Sequence, residues 1–221
     1  MSKYIKCILA SILIVIIEYP CFSATTYAAT PRNYNPVEEF NSNTYTYNND
    51  GAGKAQGIKF SLKIPKSWEA KDGNRPHVVK KFINKQGDTF AVYLVLIHSI
   101  PDLDDPDIRL SKSDIKEFLS DENNLKDFVP NNAQILGSGP ITLETLNGFW
   151  LKTKIYQERL GYKIDMYSTS FVIPYKGKLI ILQGIIPNQK PGKSISKKEM
   201  DIYELAFYLI TNSLVLPEIY K

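Results

Sequence analysis

Cysteine, histidine and tryptophan are scarce in this chain, at two of each among 221 residues. Both cysteines, Cys7 and Cys21, lie ahead of residue 29. The body therefore has no disulfide framework and no thiolate metal site. A chain of this length builds a core without such staples. His77 and His98 are the only imidazoles. Two lone histidines without cysteine make a poor zinc set, and no G-x-S-x-G elbow supplies a nucleophile. No catalytic residue and no metal or other cofactor is expected. Charge of one sign is also lacking: the formal net charge of +4 is far from that of a nucleic-acid binder.

Only one long apolar run occurs, over residues 7–17. It falls well short of the roughly 20 residues that a spanning helix needs. Lys3 and Lys6 precede it, Glu18 and Pro20 end it, and Ser23, Ala24, Ala28 and Ala29 follow. A positive start, a greasy middle and small residues at a cut site are the order of a secretory signal. The expectation is a signal peptide over 1–28, cut after Ala28, and a periplasmic or secreted product with no membrane span after cleavage. A cut after Ser23 or Ala29, or an uncleaved anchor, are the alternatives. Glu18, Tyr19 and Pro20 fit a lipoprotein signal at Cys21 badly. Abundant lysine, asparagine, isoleucine and tyrosine match the usage of an AT-rich bacterial genome.

Residues 29–56 hold asparagine, tyrosine, threonine and glycine with few aliphatics, so a flexible lead-in is expected there, with a brief edge strand open to Tyr45-Thr46-Tyr47. The domain proper is expected over 57–221. In 58–64, Ile58, Phe60, Leu62 and Ile64 alternate with Lys59, Ser61 and Lys63, a half-wet strand that Pro65 ends. Residues 78–83 read as a strand, with Gly87-Asp88 as its turn. The run 90–97 is apolar on both faces, which places it mid-sheet under cover on each side. Residues 111–119 read as a helix burying Ile115, Phe118 and Leu119, and Pro130 closes that region. Four strands follow at 134–143, 149–159, 162–173 and 179–186. Asn147-Gly148, Leu160-Gly161 and Lys176-Gly177 serve as hairpin turns between them. Ser196 and Glu199 form a capping box, with Ile195 and Met200 placed as a staple. Tyr203, Phe207, Ile210 and Leu214 then recur at helical spacing. The fold class is α+β: one antiparallel sheet of about seven strands with helices on both faces, an α/β/α sandwich.

The stretch Phe60-Ser61-Leu62-Lys63-Ile64-Pro65-Lys66-Ser67-Trp68, an alternating strand followed by proline and tryptophan, resembles the opening of the PsbP and Mog-like α/β/α sandwiches. The element order over 57–216 is similar to theirs. The resemblance implies a non-catalytic binding or assembly module, as in extrinsic photosystem subunits, a Ran-binding factor and bacterial secretion chaperones. It implies no particular partner and assigns no functional residue.

The most unusual polar stretch is Gly73-Asn74-Arg75-Pro76-His77. Arginine offers a planar fork for a carboxylate or phosphate, histidine senses pH, and Trp68 nearby adds a stacking face. Trp68, Asn74, Arg75, His77 and His98 are the candidate ligand-binding set, against a plain loop whose Arg75 and His77 cap backbone groups. Asp102, Asp104, Asp105 and Asp107 lack the spacing of a calcium loop and read as a solvated turn. Lys190, Lys193, Lys197 and Lys198 form a modest basic patch without interleaved aromatics. The expected function is an exported monomeric module that binds a protein or a small envelope ligand, with no nucleic-acid partner. The rivals are a small secreted hydrolase with His77 or His98 as base and a secreted host-interaction protein.

Overall fold

The computed structural model describes residues 34–86, 89–99, 109–126, 128–159, 162–188 and 195–220. The expected leader, the Gly87-Asp88 and Leu160-Gly161 turns, the acidic cluster at Asp102 to Asp107, and Lys190 and Lys193 lie outside those residues.

Among the described residues nine strands form: β1 (Thr44–Asn49), β2 (Phe60–Pro65), β3 (Trp68–Asp72), β4 (Val78–Gln86), β5 (Thr89–Ser99), β6 (Ala133–Leu143), β7 (Leu146–Arg159), β8 (Tyr162–Tyr175) and β9 (Lys178–Pro187). Seven build one antiparallel sheet in the order β3-β4-β5-β9-β8-β7-β6, and β1 and β2 pair separately. The helices are α1 (Pro36–Ser42), α2 (Lys112–Leu119), α3 (Glu122–Lys126) and α4 (Lys197–Asn212).

Successive strand residues point to opposite faces, and the apolar ones are buried on both. In β5, Tyr93, Val95 and Ile97 join one buried cluster while Leu94 and Leu96 join a second. In β9, Ile180 and Leu182 fall in the first, Leu179 and Ile181 in the second. The first cluster takes Tyr203, Ala206, Phe207 and Ile210 of α4, and the second takes Ile115 and Phe118 of α2 with Leu125 of α3. Both longer helices begin at reciprocal caps, Ser111 with Asp114 and Ser196 with Glu199, which satisfy amides that the first turn leaves unbonded. Inside the first cluster the Tyr93 hydroxyl meets Thr211 Oγ1 at 2.7 Å, so the one polar atom of that ring is paired.

Three details differ from the sequence expectation. The strand expected at 58–64 is β2, and it lies outside the large sheet; β3, a segment read as turn and loop, takes the seventh place. The β6–β7 hairpin turns at Glu144, whose φ is 56°, and Asn147-Gly148 lies inside β7. A Cβ on Gly148 would sit 2.1 Å from the Val172 carbonyl oxygen, so this glycine permits close strand contact rather than a bend. The lead-in is folded from residue 34 onward. Asn35 caps α1 by accepting from Val37 and Glu38. Tyr45 and Tyr47 pack against the first cluster, and β1 pairs with β2 over its whole length. Its asparagines serve as caps and turn formers, and its tyrosines supply the apolar area that the missing aliphatics do not.

α4 rests directly on the sheet at Gly184, where an added Cβ would lie 2.1 Å from the Phe207 ring. Phe207 is 1% exposed and has no free space to yield. Gly184→Ala should therefore cost about 1–3 kcal/mol through overpacking, read as a lower urea midpoint at unchanged slope. An unchanged midpoint would mean that α4 does not bear on β9 at this point.

Candidate functional site

The chain ends β3 at Asp72 and re-enters the sheet at Val78. Gly73 makes that short return possible, since a Cβ there would lie 2.1 Å from the Val78 carbonyl oxygen. Val78 N–H donates to Arg75 O at 3.2 Å, and Ile97 N–H donates to His77 O at 3.0 Å. His77 is thereby pinned beside the end of β5, where His98 stands. The two imidazoles stack, with ring centroids 4.4 Å apart and planes inclined by 29°. Among the described residues neither Nε2 has a hydrogen-bond partner, and both atoms are buried.

A loop from the lead-in closes over the same sheet end. Asn49 and Asp50 accept from the backbone of Gly51 and Ala52, and Gly57 N–H donates back to Gly51 O at 2.8 Å. This presents Lys54 and Gln56. The Lys54 ammonium donates to Gly73 O. Gln56 donates through Nε2 to Ile97 O at 3.3 Å and accepts from the Ser99 hydroxyl. The site is thus a pair of imidazoles with an amide, a hydroxyl and two cations, Lys54 and Arg75, within electrostatic reach.

Burial disfavours the charged form of both rings. It lowers His77, and the charges of Arg75 and Lys54 add to the effect. Burial, then the neighbouring His77, pushes His98 from 6.5 down to about 4. The pair is neutral at pH 7.

Of the five residues singled out in the sequence, His77 and His98 meet. Arg75 is half-buried in the return just ahead of His77, and Asn74 is exposed there. Trp68 does not join them: it pairs with Asn84 at the far end of β3, whereas Asp72 at the near end faces Lys80. Trp68 is 2% exposed, stacks edge-on against Phe207 and donates to the Tyr34 hydroxyl. It is a core residue, because its ring fills the space between α4 and the lead-in. Lys54, Gln56 and Ser99 are the members that the sequence reading passed over. The signal was Asn49-Asp50-Gly51 with glycine again at 53 and 57, a turn-forming pattern rather than a tether. Among the described residues no group of three or more His, Cys, Asp or Glu is placed to hold a metal ion, and no helix is long and apolar enough to cross a membrane.

No protein-family model and no curated protein sequence matches the chain. Solved structures do. A cyanobacterial PsbP (CyanoP) from Synechocystis sp. PCC 6803 is similar at 14% identity and a TM-score of 0.44, over 79% of this chain and 93% of that one. LpqN of Mycobacterium tuberculosis, described as involved in cell envelope biogenesis, is similar at 14% identity and a TM-score of 0.46, over 83% and 97%. PA94 of Pseudomonas aeruginosa, a protein of unknown function, is similar at 11% identity and a TM-score of 0.40, over 79% and 97%. These neighbours include the PsbP type that the sequence resembles. At such identities they place no residue role on this chain.

Unfolded histidines take up protons near pH 6.5, while the folded pair resists protonation to lower pH. Between those limits the unfolded state binds more protons, so stability falls as pH drops from about 6.5 toward 4. Urea midpoints measured across that range should fall for the native chain and fall less for His98→Gln. Proton NMR titration should give His98 a pKa near 4. A pKa near 6.5 for both rings would refute the buried stack.

Proposed function

We propose that the chain is an exported, non-catalytic binding module that takes an acidic group, a carboxylate or phosphate of a protein or small envelope ligand, at the His77–His98 end of the sheet. The observation that carries this reading is the stacked pair whose two buried Nε2 atoms have no partner among the described residues. An unsatisfied buried polar atom costs about 1–3 kcal/mol, so a ligand atom that bonds to either ring recovers that cost. Lys54 and Arg75 set the sign of the ligand. An ammonium carries three N–H donors, and Lys54 spends one on Gly73 O. Export rests on the leader pattern over 1–29. The architecture is read as a three-layer α/β/α sandwich, supported by the division of α4 from α2 and α3 between the two buried clusters.

The hydrolase reading is weaker on this geometry. A base must face its nucleophile, and the nearby Ser99 hydroxyl donates to Gln56 instead. A ring whose pKa is held near 4 is also a poor proton acceptor at neutral pH.

A bound anion favours the imidazolium form, so affinity should rise as pH falls. Titration of the chain with inorganic phosphate and with succinate, followed through the His77 and His98 ring protons, should show saturable shifts. Binding should be about tenfold tighter at pH 5.5 than at 7.5, or about 1.4 kcal/mol, and Lys54→Ala should weaken it. Rings unmoved by either probe at tens of millimolar would reject the site. Turnover of an ester, amide or glycoside substrate that His98→Gln abolishes would favour the hydrolase.

A further inference from the structure

A second surface lies on the α4 side of the sheet. Along β7, Leu151, Thr153 and Ile155 are buried, while Trp150, Lys152 and Lys154 are half-buried and Tyr156 is 45% exposed. α4 packs on β8, β9 and β2. Its Glu204 and Tyr208 form one wall beside β7, and Tyr167 of β8 completes the floor. The Trp150 indole lies across Gly137 and Gly139 of β6; a Cβ on Gly139 would stand 2.8 Å from its Nε1. Two glycines on one face thus let a large ring lie flat on the sheet.

The row along β7 reads ring, amine, amine, ring. Lys152 Nζ stands 5.3 Å from the Trp150 ring centre and 5.9 Å from that of Tyr208. Lys154 Nζ stands 4.9 Å from Tyr156 and 5.6 Å from Tyr167. Each amine is also matched by a carboxylate, Lys152 with Glu204 at 2.5 Å and Lys154 with Asp165 at 2.9 Å. The charges cancel within the surface. A polyanion would have to break these pairs, and counterion release favours surfaces with unmatched lysines. What remains is a row of rings, each with a lysine ammonium over it, and hydrogen-bond donors and acceptors side by side. Ring faces suit the C–H faces of sugars, and paired donors and acceptors suit hydroxyl groups, which need both. Trp150 and Tyr156 are six residues apart on one strand, about 20 Å, a straight row the length of a short oligosaccharide.

We propose that the β7 face bounded by Trp150, Tyr156, Tyr167 and Tyr208 binds a neutral, extended, β-linked glycan. The platform and the imidazole site are separate, and neither requires the other.

Trp68 is buried and Trp150 is the only other tryptophan, so a ligand-induced change in tryptophan emission reports the platform. The full chain titrated with cellohexaose and with chitohexaose should give a saturable emission shift with at least one of them. That binding should be insensitive to salt between about 0.05 and 0.5 M, as expected without counterion release. Tyr156→Ala should weaken binding about tenfold, which is about 1.4 kcal/mol, at an unchanged melting temperature. Lys154→Ala should weaken it less. Trp150→Phe should keep binding and lose the signal, checked by calorimetry. Folded protein that binds neither hexasaccharide would overturn the proposal. So would equal binding by Tyr156→Ala, or an emission shift obtained only with polyphosphate or polyglutamate and lost in salt.

Discussion

Residues 93–97 of strand β5 are buried on both faces of the sheet, and much of the remaining architecture follows from that condition. Its odd-numbered residues, Tyr93, Val95 and Ile97, need one apolar layer, and Leu94 and Leu96 need another. α4 places residues in the first buried cluster, and α2 with α3 in the second. Each needs a broad apolar stripe and a firm start, which the two capping boxes give. β9 completes the arrangement by pairing with β5 after the chain has run through the β6–β9 meander. Its one glycine on the α4 side, Gly184, lets the Phe207 ring sit against the backbone. Tight packing of this kind leaves little room for adjustment inside, so chemistry is displaced to the ends and the open margin of the sheet.

The two candidate surfaces use those margins in different ways. At the β4–β5 end, burial keeps two imidazoles uncharged beside Arg75 and Lys54, and their two Nε2 atoms have no partner among the described residues. On the β7 face, charges are present but matched pair by pair. In the readings proposed above, the first arrangement selects for the charge of what it meets, and the second for shape and hydroxyl pattern.

Much of the fold was legible because its signals are local. Alternation in 58–64, the two-faced run in 90–97, and Ser196 with Glu199 each state a structure within a few residues. The Lys176-Gly177 turn was legible for the same reason, with φ of 50° and 67° at its two positions. Three things were hidden. β3 is short and polar outside Trp68, so no period marks it. Gly148 has the composition of a turn, but its role is contact with Val172 across the sheet, which only the fold reveals. The order of the lead-in is hidden because few aliphatics mark it, and tyrosine supplies its buried area instead. In the fold, Tyr34 stacks on Tyr203 and Tyr47 meets Phe82 edge-on. Half of the imidazole site was hidden with it, since Lys54 and Gln56 come from that segment. His77 and His98 stood out in sequence only by rarity; their meeting depends on the β4–β5 register.

The β1–β2 ribbon has one more implication. Ser61 and Val215 exchange both backbone hydrogen bonds, and the Ser213 hydroxyl accepts from Lys63 N–H at 2.8 Å. The β1–β2 ribbon is thereby fastened to the segment just past α4. Closing contacts so distant in sequence carries a loop-closure cost that slows folding. A polypeptide emerging from a ribosome cannot close this clasp until Ser213 has been made, 150 residues after Lys63, so the ribbon waits on a partner that the chain supplies much later.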